Sequence, residues 1–409
     1  MPRAPHPSRK KFTRFASKQP FQFGLPNVSP ALTQSSDNSA IYVTRTTSLL
    51  RRQVLANAPG VKIKSDSYRF QVLPRDSWGE PDFSRKSILF LIPDDALGDC
   101  VGMALFFRAL KQKFADIRIG VLNAGSASDI FALVPDIQIF QLFISSTQLK
   151  RFDHVIDLSE MEGWRDIATM PVNPEEALCE AFGIPPIPLE ERHLPTETRL
   201  KIGIVPMASS PLRTLPPKLV SEITATLSKQ DYEITIVLNA YQGVMKAYKA
   251  ALGALSGKNT RILDGFKTIG DLVTFVGQQD YLVVADSGPA HISKLFQTPG
   301  FGIYSSADAK TLQGRHKNLR TWQSDFEGPH CTAPCGLAKL RATPDGKIGC
   351  MGSLNLPFEA LSHLPEKADS ALARSLVTER PVPCVAQLET NSKAILDVIT
   401  KDLSKARGN

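Results

Sequence analysis

The sequence predicts an α/β protein built from two Rossmann-like, doubly wound domains with a small N-terminal appendage. Three observations carry that expectation. Apolar runs such as Ile88-Leu-Phe-Leu-Ile92 and Tyr281-Leu-Val-Val-Ala285 read as strands buried on both faces, each followed by a small-residue turn and then by helical apolar spacing. Such strand–helix alternation occurs twice, from Ser87 and again from Lys201, as parallel sheets require. Between the two sets, the proline-rich stretch from Gly183 to Pro195 breaks the pattern and marks a boundary.

A chain of 409 residues has ample material for two or three domains. No apolar run is long enough to span a bilayer, and the basic N-terminus lacks the apolar segment of a secretion signal; the expected location is cytoplasmic. The net charge of +8 favours acidic partners, although much of the excess lies at one end, in Arg3, Arg9, Lys10, Lys11, Arg14 and Lys18. No zinc-finger or RNP pattern accompanies it, so nucleic acid is not an expected partner. Six cysteines in a chain without a secretion signal point to thiols or a metal site over a disulfide framework.

In order, residues 1–36 read as a disordered basic tail, rich in Pro and Ser. Residues 37–86 read as a small β-like appendage and linker, with short runs at 40–44, 61–64 and 68–72. The first domain, 87–198, has strands at 88–92, 117–122 and 154–158 and helices at 101–114 and 127–133, the longer one with Leu105, Phe106, Leu110 and Phe114 inward. Arg108, Lys111 and Lys113 oppose that apolar side, which allows a membrane-surface reading beside the ordinary one of a core helix. The second domain, 199–384, has strands at 201–205, 233–238, 261–263, 281–285 and 300–304, and helices near 217–229, 244–255 and 269–278. Beyond Gly314 it becomes loop-rich and carries a cysteine cluster, and residues 385–409 form a last amphipathic helix. Two such domains imply a cleft, with ligands beyond the carboxyl ends of the strands.

Two loops leave strands at that end. Asp286-Ser287-Gly288-Pro289-Ala290-His291 turns a buried strand onto a helix, where free N–H groups and the helix dipole favour an anion. Asp94-Asp95-Ala96-Leu97-Gly98-Asp99 follows the first strand and is rich in carboxylates.

These stretches resemble glycosyltransferase family 9, the ADP-heptose:lipopolysaccharide heptosyltransferases. Ala96-Leu97-Gly98-Asp99 is similar to the family's opening loop, and Asp286 to His291 to its Asp-Ser/Thr-Gly-x-x-His motif. The segment from Ile202 to Pro217, with Ser209 and a basic residue ahead of Leu215-Pro216-Pro217, resembles the start of its donor half. The chain departs from the family in reading Pro93-Asp94-Asp95 and Val205-Pro206-Met207. The resemblance implies a GT-B fold, an acceptor half followed by a donor half, with the C-terminal helix returning to the first.

The resemblance further implies inverting transfer of heptose or a related sugar from an ADP-sugar to a lipopolysaccharide-core or similar glycan, at the inner face of the inner membrane. Asp99 would be the general base, its proton affinity raised by Asp94 and Asp95; the competing reading is that Asp99 caps the following helix. Arg213, Ser209, Asp286, Ser287, Gly288 and His291 would hold the donor. Transfer requires no cofactor, because a helix terminus replaces a cation at the diphosphate. Cys331, Cys335, Cys350 and Cys384 are four soft donors for structural Zn or Fe, with reduced structural thiols as the alternative. Cys100 and Cys179 read as buried apolar residues. The cysteine segment resembles that of iron-binding relatives that modify autotransporters, which gives a protein heptosyltransferase as an alternative. A non-catalytic nucleotide-sugar binder is another.

Overall fold

The computed structural model describes residues 12–16, 22–23, 25, 27–35, 41–44, 62–68, 72–93, 96–122, 124–161, 173–195, 198–239, 242–253, 255, 259–337, 349–355 and 371–406. These residues fall into two compact units. The first is drawn from Met1–Trp164, Pro174–Pro188 and Lys267–Gly270, the second from Arg165–Asn173, Leu189–Phe266 and Asp271–Asn409.

The first unit opens with strands β1 (Phe12–Ala16), β2 (Ile41–Thr44) and β3 (Lys62–Tyr68). It continues through β4 (Ser87–Leu91), α1 (Leu97–Lys113), β5 (Arg118–Leu122), β6 (Ile137–Phe140), β7 (Phe143–Ser145), β8 (His154–Asp157) and α2 (Pro174–Ala181). Here the structure corrects the expected tail. Strand β1 lies within residues 1–36 and pairs antiparallel with β2 and β3. The ring of Phe15 is buried against Tyr42 and Phe143, at centroid distances of 5.4 and 5.7 Å. An aromatic cluster of this kind supplies the apolar burial that the composition of the tail does not advertise. Strand β7 joins the same antiparallel sheet, whose order is β3-β1-β2-β7.

The second sheet of this unit is parallel, in the order β8-β4-β5-β6. Strand β4 is buried throughout, as its unbroken apolar run predicts. Helix α1 is buried on all sides from Cys100 to Phe107, not on one stripe, and Arg108 Nη2 donates to the Leu133 carbonyl at 3.3 Å. A helix apolar all round belongs in a core, so the membrane-surface reading of α1 is not the one realised. Strand β6 is absent from the expected set: its half-buried Ile137 and Ile139 and exposed Gln138 make a short edge strand with a weak apolar signal.

The second unit runs through β9 (Lys201–Val205), α3 (Pro217–Leu227), β10 (Glu233–Val237), α4 (Gln242–Leu252), β11 (Thr260–Leu263), α5 (Ile269–Gln278, all but its first two residues) and β12 (Tyr281–Ala285). Then follow α6 (Gly288–Phe296), β13 (Gly300–Tyr304), α7 (Ala309–Gln313), β14 (Leu319–Gln323), α8 (Gly349–Leu354), α9 (Ala371–Thr378), α10 (Pro383–Thr390) and α11 (Ser392–Ala406). Its six strands are all parallel in the order β11-β10-β9-β12-β13-β14. Numbered from β9, that order is 3-2-1-4-5-6, the doubly wound Rossmann arrangement. Strand β14 lies in the region expected to be loop-rich; its first residue is buried and the next two are exposed, as suits an edge.

Helix α11 corrects another expectation. It was expected to return to the first domain, but its inward residues Ile395, Ile399 and Leu403 are at most 2% exposed within the core of the second unit. Each such aliphatic contributes roughly 1.5–3 kcal/mol on burial. Tyr281 Oη donates to Asp402 Oδ2 at 2.7 Å, which pins the helix to the start of β12.

Candidate functional site

In the order 3-2-1-4-5-6, strand direction of travel reverses between β9 and β12, and ligands bind beyond the carboxyl ends of the strands at that switch point. Val205 and Val284 are paired there. The loop after β9 carries Arg213 and the turn after β12 carries Asp286, so the topology brings together two segments that are distant in sequence.

The β9 loop is held by its own backbone and hydroxyls. Leu215 N donates to the Pro206 carbonyl at 2.8 Å, and Ser210 Oγ accepts from Leu212 N at 3.3 Å to cap a single turn over Pro211–Arg213. Thr214 Oγ1 accepts from Ala208 N at 3.1 Å and donates to the Ser210 carbonyl at 3.1 Å. Tyr248 Oη then braces the loop from α4, donating to the Leu215 carbonyl at 2.7 Å. On this rigid turn Arg213 Nη2 donates to Ser209 Oγ at 3.0 Å, while Nη1 lies 3.5 Å from Asp286 Oδ2.

Asp286 is 1% exposed, and among the described residues neither of its carboxylate oxygens has a hydrogen-bond partner, nor has the buried Nε of Arg213. Buried polar atoms are almost always satisfied, so three such atoms in one ion pair single this place out as the candidate site. Burial pushes the Asp286 carboxyl above its ordinary value, against the opposing pull of Arg213 and Lys294. Ser287 is the N-cap of α6, with extended backbone; its hydroxyl donates back to the Ala285 carbonyl at 3.2 Å and makes no side-chain cap. Gly288 and Pro289 start the helix, as the turn chemistry predicts. His291, the fourth helical residue, is half-buried. Burial holds its imidazole well below the ordinary range, reinforced by Lys294, Arg213 and His316, so at neutral pH it is uncharged.

Sequence reasoning missed the surroundings of this pair. Lys294 is 3% exposed on α6 and donates to the Leu312 carbonyl, which also accepts from Asn173 Nδ2 at 2.9 Å. Buried Tyr304, at the end of β13, accepts from Gln313 Nε2, and its phenol is pushed up by burial and by Asp286. A lysine three residues after His291, on the apolar side of an amphipathic helix, was the available signal.

In the first unit Asp99 is the third residue of α1 and half-buried; the N-cap is Ala96, which makes no side-chain cap. Asp99 therefore sits in the first turn, where the dipole favours a carboxylate, but does not occupy the capping position. Strand β4, which leads into it, lies next to β8 at the switch point of the first parallel sheet, with Leu91 paired to Asp157. Asp94 and Asp95 lie outside the described residues.

The four cysteines differ in their surroundings. Cys350 and Cys384 are each buried near the start of their own helix, Cys331 is half-buried with Sγ 3.5 Å from Ser353 Oγ, and Cys335 is exposed. Burial pushes both buried thiols up to about 12, with smaller contributions from the other cysteines. Among the described residues, however, no three His, Cys, Asp or Glu side chains form a metal-binding group. Cys100 and Cys179 are buried apolar residues as expected.

The parallel sheets, with a buried ion pair at the switch point of the second, define a doubly wound α/β protein. The chain belongs to glycosyltransferase family 9 (heptosyltransferase), whose match extends over residues 104–340, and is accordingly a glycosyltransferase. No curated protein matches it. Among solved structures it is similar to the ADP-heptose LPS heptosyltransferase II of E. coli, with 17% identity and a TM-score of 0.45 over 58% of this chain and 90% of that one. It is similar to a family 9 glycosyltransferase of Veillonella parvula, with 13% identity and a TM-score of 0.47 over 59% and 87%. A third likeness is to TibC of enterotoxigenic E. coli, a dodecameric iron-containing heptosyltransferase solved with ADP-D-beta-D-heptose, with 10% identity and a TM-score of 0.47 over 96% and 92%. Family membership rests on the family match.

Proposed function

We propose that this protein transfers heptose or a related sugar from an ADP-sugar to a lipopolysaccharide-core or similar glycan, with inversion at the anomeric carbon. The observation that carries the reading is the Arg213–Asp286 pair, buried and short of hydrogen-bond partners beside the N-terminus of α6. A nucleoside diphosphate would satisfy that arrangement: Arg213 offers a planar fork to phosphate, and the positive end of the α6 dipole, with the N–H of Gly288, favours negative charge. Gly288 lets the backbone come close, Ser287 and a neutral His291 line the diphosphate, and Ser209 steadies Arg213. Asp286 takes the sugar end, where its free oxygens accept hydroxyls.

Transfer then asks for a proton acceptor at the attacking hydroxyl and stabilisation of the departing ADP. Asp99 is the base. The bond from the anomeric carbon to the acceptor oxygen forms as the bond to the diphosphate breaks; the hydroxyl proton passes to Asp99 and the electron pair leaves with ADP. Charge on the sugar resembles an oxocarbenium ion at the transition state. No step needs a metal. The donor atoms of Cys331, Cys335, Cys350 and Cys384 suit a soft zinc or iron ion, whose role would be structural, and elemental analysis of the purified protein decides its presence.

An acceptor on a membrane glycan places the enzyme peripherally at the inner membrane; among the described residues no helix is long and apolar enough to cross one. The alternative is a protein heptosyltransferase of the autotransporter-modifying kind, favoured by the cysteine segment, and a nucleotide-sugar binder without turnover is a further one. The deciding experiment is a thermal-shift screen of ADP-, UDP- and GDP-sugars, followed by a nucleotide-release assay. Preference for ADP-heptose with ADP release supports the transfer; binding without release leaves the binder, and preference for another base rejects the heptosyl reading.

A further inference from the structure

Ser305 and Ser306, directly after β13, are both buried, at 3% and 0% exposure. Each closes onto a different loop. Ser305 Oγ donates to the carbonyl of Leu212, in the turn that presents Arg213. Ser306 Oγ donates to the Leu337 carbonyl at 2.8 Å, and its own carbonyl accepts from Cys335 N at 2.9 Å and Gly336 N at 2.8 Å. The dipeptide is fixed from the other side by Gln323 Nε2, which donates to the Ser305 carbonyl at 2.9 Å.

The consequence follows from peptide planarity. The Leu212 carbonyl shares a rigid plane with Arg213 N and Cα, so a donor that fixes the carbonyl fixes the N–Cα bond from which the Arg213 side chain departs. Arg213 N is itself held by the Ser210 carbonyl at 3.2 Å. One dipeptide at the carboxyl end of β13 therefore links the cysteine segment to the aim of the guanidinium. Cys335, at the far end of that link, is the exposed thiol of the four.

We propose that Ser305 is a positioning residue for the grip on the donor diphosphate, and that through Ser306 a covalent change at Cys335 weakens that grip. The inference rests on the donor-site reading above. The probe modification is simple addition: the Cys335 sulfur bonds to an alkene carbon of N-ethylmaleimide, the neighbouring carbon takes a proton, and nothing leaves.

The test is calorimetric titration of the full chain with ADP alone. Ser305→Ala is expected to bind ADP about two- to tenfold more weakly, the loss typical of one hydrogen bond. The matched control is Thr224→Ala, which removes another buried hydroxyl of the same unit, one donating to the Val220 carbonyl at 2.7 Å within α3. This control should bind ADP as wild type does. Maleimide-treated wild type, with addition at Cys335 verified by mass spectrometry, should lose affinity comparably, and treated Ser305→Ala should lose no more. Equal affinity of the Ser305→Ala and Thr224→Ala variants overturns the positioning role, and unchanged affinity after addition at Cys335 overturns the coupling. Untreated wild type that fails to bind ADP removes the donor reading itself, and this inference with it.

Discussion

Arg213 and Asp286 face each other at 3.5 Å across the switch point of the second sheet, yet among the described residues the carboxylate accepts no hydrogen bond and the guanidinium Nε donates none. A pair built only for stability would be saturated, because desolvating two charges is repaid only when the remaining donors and acceptors are satisfied. Removing one partner strands the other. Arg213→Met should therefore cost about 3 kcal/mol in chemical denaturation, whereas the Arg213→Met/Asp286→Asn double variant recovers much of that loss while binding no ADP. A double variant no more stable than the single one would contradict the pairing.

The imidazole of His291 gives a pH signature. Its folded value lies well below the ordinary 6.5, so the unfolded chain takes up the proton first. A base depressed on folding contributes stability above pH 6.5 and loses it as pH falls towards the folded value. Stability should thus decline below pH 6.5 by at most about 1.4 kcal/mol per pH unit from this group. His291→Gln should flatten that part of a stability–pH profile; an unchanged slope would assign it elsewhere.

Asp99→Asn separates binding from chemistry. The variant should keep ADP affinity, since its carboxylate belongs to the proposed acceptor side, and should lose about 10²–10⁴-fold in turnover. Single-turnover measurement with a bound ADP-sugar checks this, and retained turnover removes Asp99 as base.

Gly300 shows what holds the site strands in register. A Cβ on this residue would lie 2.3 Å from the Leu282 carbonyl oxygen, a backbone atom in the neighbouring strand β12. Gly300→Ala should cost about 3 kcal/mol, the upper part of the range for overpacking, because a strand cannot move aside as a side chain does. Since β12 delivers Asp286, ADP affinity should fall in the surviving folded fraction. Wild-type stability in this variant would show that the strands separate more easily than the packing indicates.

Tyr281 Oη and Asp402 carry the attachment of the last helix. Tyr281→Phe removes a hydrogen bond to a carboxylate and should cost about 1.5–3 kcal/mol. Urea denaturation followed by the exchange of α11 amides would register it; loss of protection confined to the first unit would contradict the observed packing.

Local reading reached a good deal of this. The runs at Ile88 and Tyr281 are buried strands because their apolar residues are contiguous, and Ser287-Gly288-Pro289 starts a helix because each residue suits its place there. The edge strands β6 and β14 were not legible, since partial exposure erases the apolar run on which such a reading depends. Strand β1 was hidden in a basic, proline-rich stretch, and only the stacking of Phe15 on Tyr42 and Phe143 reveals why it folds.

By itself, then, the sequence determined the α/β class, the anion-favouring turn from Asp286 to His291 and the family to which the chain belongs. Tertiary structure decided the partners: Arg213 with Asp286, Ser305 with Leu212, and Tyr281 with Asp402. The reason is physical. Strand and turn preferences arise from neighbours along the chain, whereas the strand order that juxtaposes β9 and β12 arises from long-range pairing and core burial, to which no short stretch of residues commits the chain.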